Sequence, residues 1–188
     1  MAQKRGSSDG WMWAVVLGAT ALVVVLAIVK GKKSVAALEG KPAPAVTLPL
    51  LDGDKSVALH QQNGRVVMLD FWATWCGPCK ASMPAVQRVW RDYQARGVDL
   101  IAVNTDRASD NRDPSIREFL ITNNLQLTVA IDDGKSSAQT AYNVEGLPTL
   151  VVLDKSGKVA LTHVGFSAAM ERELRATLDA ALAARASN

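Results

Sequence analysis

The residues best able to do chemistry are Cys76 and Cys79, the only two cysteines in the chain, placed together in Trp75-Cys76-Gly77-Pro78-Cys79. Two thiols separated by two residues can close into a disulfide and reopen, so their pairing points to thiol–disulfide exchange. The attacking species in that reaction is a thiolate, which unpaired N–H groups and the dipole of a helix N-terminus favour. A helix is expected from Gly77 onward. Cys76 then sits at its N-terminal edge as the nucleophile candidate, and Cys79, on the first turn, is the more covered resolving thiol. Pro78 loses little by lacking a donor in the first turn, and Gly77 lets the backbone approach closely. Asp70 stands inside an apolar run; its burial would raise the carboxyl pKa and suit it to proton transfer.

The same thiols could in principle bind metal. A zinc or iron–sulfur site needs more ligands, and only His60 and His163 remain, neither at metal-motif spacing. No metal and no separate cofactor is therefore expected beyond a redox-active Cys76–Cys79 disulfide. A copper-binding assembly chaperone is the rival from a different class, and the lack of a nearby third ligand argues against it. A peroxidase reading is weaker still, because one CGPC pair supplies no distinct peroxidatic constellation. Two cysteines also exclude a disulfide-dense scaffold.

The elements that position the dithiol are legible in the pattern. Val66 to Trp72 reads as a buried strand, entered from the turn Asn63-Gly64. From about Gly77 to Arg96, Met83, Val86, Val89, Trp90 and Tyr93 recur at helical spacing. Val98 to Val103 is a second apolar run. Asp113-Pro114 predicts a helix start, with Asp113 as cap and Ile116, Phe119 and Leu120 inward. Leu127 to Ile131 predicts a strand and Ala138 to Tyr142 a short helix. Thr149–Leu153 and Val159–Val164 flank the turn at residues 154–157 as a hairpin. Ser167 is the expected cap of a last helix with Met170, Leu174, Leu178 and Leu182 on one stripe. Shorter strands are expected at residues 46–48 and 57–59. The sum is an α/β fold, a mixed sheet covered by helices.

Residues 11–29 carry no charge and, as a helix, would be about 28 Å long, close to the thickness of a bilayer's hydrocarbon core. Trp11 and Trp13 begin the run, and Lys30, Lys32 and Lys33 end it. A cleavable signal peptide has a shorter apolar core before a small-residue site, whereas Ser34-Val35-Ala36 lies beyond three lysines. The expected organisation is a tail (1–10), a transmembrane anchor (11–29), a linker (30–41), a catalytic domain (42–184) and a C-terminal tail (185–188). Residues 1–33 hold five Lys/Arg and one Asp, while the remainder holds sixteen basic and seventeen acidic groups. The basic excess thus belongs to the membrane flanks, and no dense basic patch supports nucleic-acid binding. The lysine count by itself favours a cytoplasmic C-terminal side.

Three strings give the chain a resemblance to the thioredoxin superfamily and, within it, to the membrane-anchored TlpA/ResA-like thiol-disulfide oxidoreductases. They are residues 69–80 (LDFWATWCGPCK), Pro84, and Gly146-Leu147-Pro148-Thr149. The resemblance covers about residues 42–184 and implies a thioredoxin-like fold, with an inserted α-β unit at roughly 113–131. It implies that Pro148 forms a cis-proline turn facing the dithiol, with Leu147 offering backbone contacts to substrate. Trp75, Gly77 and Pro78 would form the rest of the substrate surface, with Trp72 either beside them or in the core. Asp70 matches the aspartate that assists deprotonation of the second cysteine. Ser82 stands where many TlpA/ResA-like proteins carry a glutamate, which shifts any carboxylate role to Asp70. Gly77-Pro78 resembles the pair of reducing thioredoxins, which leans the expectation toward a reductant.

The expected function is accordingly a membrane-tethered thiol–disulfide oxidoreductase, a reductase of protein disulfides on the periplasmic or extracytoplasmic side. Family roles include maturation of cytochrome c or of oxidase copper sites, and a membrane electron donor is implied for re-reduction. A dithiol oxidase or isomerase is the alternative with the same exchange chemistry.

Overall fold

The computed structural model describes residues 16–17, 35–60, 64–109, 111–134 and 137–184. Val16 and Leu17 are helical and exposed; the rest of the expected anchor lies outside the described residues, as do both expected tails. No helix among the described residues is long and apolar enough to cross a membrane.

Among the described residues after 46 there are seven strands and four α-helices: β1 (Thr47–Pro49), β2 (Ser56–Ala58), β3 (Val66–Trp72), α1 (Gly77–Tyr93), β4 (Val98–Asn104), α2 (Arg112–Thr122), β5 (Thr128–Ile131), α3 (Ala138–Ala141), β6 (Thr149–Leu153), β7 (Val159–Val164) and α4 (Met170–Ala183). Five strands form a sheet in the order β5-β4-β3-β6-β7, and β1 and β2 form a separate pair. β3 runs parallel to β4 and antiparallel to β6, β4 runs parallel to β5, and β6 runs antiparallel to β7. The expected thioredoxin-like arrangement of a mixed sheet with helices is present.

β3 is buried at all seven positions because it is central in the sheet and both of its faces are covered. Its alternation sorts the core. Val67, Leu69 and Phe71 face Leu48, Leu59 and Tyr142, whereas Val66 and Met68 face Val86, Val89, Leu174 and Leu178. Trp72, at the end of that second face, packs with Met83, Ile116 and the two cysteines. Asp70 lies between Met68 and Trp72 on the same side, so its carboxyl is directed toward the face that α1 covers.

Several local expectations need correction. α1 ends at Tyr93; Gln94–Arg96 is a 3-10 turn, closed by Gly97 at φ +100°. α2 begins two residues earlier than the sequence suggests: Asn111 is its cap, without a side-chain capping bond, and Asp113 instead accepts from Arg112 Nε at 2.8 Å. Pro114 still falls in the first turn, where its missing N–H leaves no bond unmade. Ser167 does not cap α4. The cap is Ala169, and the Ser167 carbonyl closes a turn by accepting from the Met170 N–H at 3.1 Å. Met170, Leu174 and Leu178 are buried as expected, with Leu182 only partly so.

Residues 39–43 of the chain leading into the domain hydrogen-bond along the β7 edge. Gly40 N–H donates to the Val159 carbonyl (2.8 Å), Ala43 N–H to the Gly157 carbonyl (2.9 Å), and Glu39 Oε1 accepts from the Thr162 N–H (2.8 Å). They occupy the outer edge of β7, the side that does not pair with β6.

Candidate active site

The dithiol sits where β3 ends and α1 begins. Cys76 is the N-cap of α1, extended at φ −82° and ψ 100°, and its Sγ accepts the Cys79 N–H at 3.2 Å. The sulfur therefore takes the place that a serine or aspartate oxygen fills in an ordinary cap, at the positive end of a 17-residue helix. In the reduced protein the same N–H and dipole favour the Cys76 thiolate. Here the two sulfurs are joined as a disulfide. Both cysteines are buried, Cys76 4% and Cys79 0% exposed, so the expected contrast in covering is small in this oxidised state. The Ser82 hydroxyl, also buried, donates to the Cys79 carbonyl at 3.1 Å. It holds the turn behind Cys79 and offers no carboxylate.

Asp70 is 2% exposed, and burial pushes its carboxyl pKa up from 3.8 to about 7. Its Oδ2 has no hydrogen-bond partner among the described residues, nor has the Trp72 indole Nε1, two residues along on the same face. A carboxyl without donors to hold its charge is neutral in mildly acidic solution and can exchange a proton near neutrality.

The tryptophans divide. Trp75 is 74% exposed beside the disulfide, while Trp72 is fully buried, its ring 4.8 Å from that of Phe119. Trp72 is therefore core, not a contact surface. Gly77 and Pro78 are exposed, and a Cβ at Gly77 would meet nothing within 4 Å. The chain's own packing does not require glycine there, so a close approach at Gly77 would be that of another molecule. The Leu147–Pro148 peptide bond is cis, and Leu147 packs against the cluster containing both cysteines, which puts the turn beside the dithiol. The Pro148 carbonyl accepts the Gly165 N–H at 2.8 Å and the Thr149 hydroxyl donates to the Gly146 carbonyl at 2.7 Å, fixing the turn from both ends.

Residues that the sequence reading did not single out complete the site. The Asp106 carboxylate accepts the Thr74 N–H (3.1 and 3.3 Å) and the Asn104 side-chain amide (2.9 Å). Thr105 donates to the Trp72 carbonyl through both its N–H (2.9 Å) and its hydroxyl (3.2 Å). The end of β4 thus latches the loop that carries Trp75 into Cys76. The available signal was Asn104-Thr105-Asp106 itself, polar residues just past the carboxyl end of a parallel strand, where open α/β sheets place their ligand crevices. His60 and His163 are not brought to the dithiol as ligands: His163 Nδ1 pairs with Glu173 at 2.8 Å, and the described residues contain no cluster that could hold a metal ion.

A cysteine pair capping the helix after a central strand, a cis-proline turn beside it and a mixed five-stranded sheet define a thioredoxin-like thiol–disulfide oxidoreductase. Residues 38–178 match the Redoxin family, and the chain belongs to it. It is 37% identical over 148 residues to the thioredoxin-like protein YneN of Bacillus subtilis (strain 168), covering 79% of this chain and 84% of that protein. It is 36% identical over 126 residues to the thiol-disulfide oxidoreductase ResA of Bacillus thuringiensis (strain Al Hakam), covering 67% and 69%. A crystal structure from Chlorobium tepidum, provisionally assigned as the thiol:disulfide interchange protein DsbE, superposes with a TM-score of 0.67 at 38% identity, covering 77% of this chain and 97% of that one.

Proposed function

We propose that this protein is a membrane-tethered reductase of protein disulfides, with Cys76 as nucleophile and Cys79 as resolving thiol. The observation that carries the assignment of roles is the cap: Cys76 Sγ, not Cys79 Sγ, receives a helix N–H. The Cys76 thiolate attacks one sulfur of a substrate disulfide, forming a mixed disulfide, and the other substrate sulfur leaves as a thiol after taking up a proton. Asp70 as carboxylate takes the proton of the Cys79 thiol. The Cys79 thiolate then attacks Cys76 Sγ, closing the Cys76–Cys79 disulfide and releasing the second substrate thiol. Two electrons pass from the dithiol to the substrate.

Substrate is held across Trp75, Gly77, Pro78 and the Leu147–Pro148 turn. Support comes from Trp75 exposure, the open space at Gly77 and the absence of any backbone hydrogen bond at Leu147 among the described residues. The reducing direction is supported by the Gly77-Pro78 pair. Tethering through residues 11–29, with the domain in the periplasm or another extracytoplasmic space, is supported by the length of that apolar run and by the TlpA/ResA-like resemblance. The same resemblance supports cytochrome c or oxidase maturation as the setting and a membrane electron donor for re-reduction.

Trapping tests the roles. In Cys79→Ser, mixed disulfides through Cys76 should accumulate, whereas Cys76→Ser should not trap the same species. Equal trapping by both variants would sink the assignment. Thiol labelling of intact cells with a membrane-impermeant reagent tests the placement: protection of Cys76 in the reduced protein until the membrane is opened would contradict it.

A further inference from the structure

A cleft of about 680 Å3 opens beside the disulfide at the carboxyl ends of β4 and β5, and Thr74 and Trp75 form one of its walls. We propose that this cleft is a second substrate subsite, which takes a carboxylate-bearing stretch of the target polypeptide on the far side of the disulfide from the Leu147–Pro148 turn. The inference rests on the reductase reading above and deepens it by naming what the substrate carries next to its cysteine.

The volume is that of a small-ligand pocket, room for a short extended stretch of chain and not for a folded element. No aliphatic side chain lines it. The lining carries three carboxylates and none of them is free: Asp133 has a partner of its own, and the other two are engaged with backbone donors. Asp106 holds the Thr74 N–H, and Asp132 accepts the Gly134 N–H at 3.3 Å and the Gln139 N–H at 2.8 Å. Arg112, also in the wall, is bonded to Asp113. Arg107 differs: it is exposed and has no hydrogen bond or ion pair among the described residues. Elsewhere Arg65, Arg96 and Arg117 each hold a carboxylate at 2.5–2.8 Å. A guanidinium without a partner among the described residues, at the rim of a polar cleft, is a recognition group for a planar anion, and it binds a carboxylate with two parallel N–H donors. The mixed lining also sets an orientation. An acidic side chain goes toward Arg107, while amide and hydroxyl donors go toward the Asp132 end.

The opposite flank of the disulfide is different in kind. Val164 and Phe166 are exposed there, 57% and 47%, joined to the cis turn by the Gly165–Pro148 hydrogen bond. The dithiol thus lies between an apolar flank and a polar, Arg107-edged one. A target crossing it is read for two chemistries, one on each side of its cysteine.

The test uses the reduced full chain and peptide disulfides carrying Glu, Gln or Lys at one of two positions on either side of the cysteine. The second-order reduction rate is measured for wild type, Arg107→Gln and Arg107→Glu. Wild type should prefer Glu over Lys at one of these positions by about fivefold, the most an exposed pair gives, and the preference should shrink at high salt. Arg107→Gln should flatten the ranking and Arg107→Glu should reverse it, with the Gln peptide changed less than about twofold in each. Among the described residues Arg107 has no partner to lose, and unchanged thermal unfolding of both variants checks that the fold is intact. Equal ranking in all three proteins, or a wild-type preference for Lys, overturns the subsite while leaving the reductase intact. Failure of wild type to reduce any of the peptides overturns both.

Discussion

Asp70→Asn removes a titrating group from the core while keeping its shape, and the effect on stability has a pH signature that can be worked out in advance. Burial moves the Asp70 carboxyl from 3.8 to about 7 in the folded protein. Between those values the native state holds a proton that the unfolded chain has released. Stability therefore falls as pH rises through this window, and it is level above about 7. At 1.36 kcal/mol per unit, a window of about three units amounts to roughly 4 kcal/mol. Asparagine does not titrate, so the stability of Asp70→Asn minus that of wild type should grow by roughly that amount from pH 4 to pH 8. The absolute offset matters less, because the amide is buried too and has donors of its own to satisfy. The assay is urea unfolding of both proteins at half-unit pH steps, kept oxidised so that neither cysteine titrates. The reduced protein gives a second readout: Asp70→Asn should slow closure of the mixed disulfide near neutral pH. Parallel stability curves for the two proteins across this range would refute the burial argument, and an unchanged rate–pH profile would refute the proton-transfer role.

Two further substitutions probe the frame around the site. Asp106→Ala strands the Thr74 N–H and the Asn104 amide and should cost about 1–3 kcal/mol in urea unfolding, while lowering the rate of mixed-disulfide formation; Asp106→Asn, which keeps an acceptor, should recover more than half of both. Tyr142→Phe removes only the 3.2 Å bond to the Pro44 carbonyl and keeps the ring against Phe71, so it should cost about 1 kcal/mol, seen as a lower urea midpoint with an unchanged m-value and unchanged exchange rate.

The elements around the dithiol were readable because they obey one rule each. β3 is an unbroken apolar run because it is central and covered on both faces, and α1 shows a stripe because it is covered on one. Asp70 was readable for the opposite reason, as the one residue violating its run. Helix starts were less legible. Asp113 and Ser167 are good caps by type, yet Asn111 and Ala169 hold those positions, since tertiary packing decides where a chain turns into a helix and the cap contributes only about 1 kcal/mol. The β4 latch was hidden altogether. Asp106 is one of several aspartates in a polar stretch, and its partner Thr74 is 32 residues away, a pairing that only the parallel register of β3 and β4 creates.

The start of α1 likewise separates two cysteines that are nearly adjacent in the chain. Cys76 and Cys79 carry the same side chain, and the fold alone makes them unequal: Cys76 caps α1 from outside and Cys79 lies in its first turn. The helix supplies Cys76 with an N–H and a dipole, which stabilise its anion without a proton acceptor. Cys79, inside the first turn, has no such donor; the apolar cluster around it opposes its anion, and the neighbouring face of β3 offers a carboxyl whose affinity for a proton burial has raised. In the proposed mechanism one thiol is thus prepared to attack at once and the other only after giving up its proton. Such an order would let the enzyme capture a substrate disulfide before its own ring closes, and in this proposal it depends on Asp70 remaining dry.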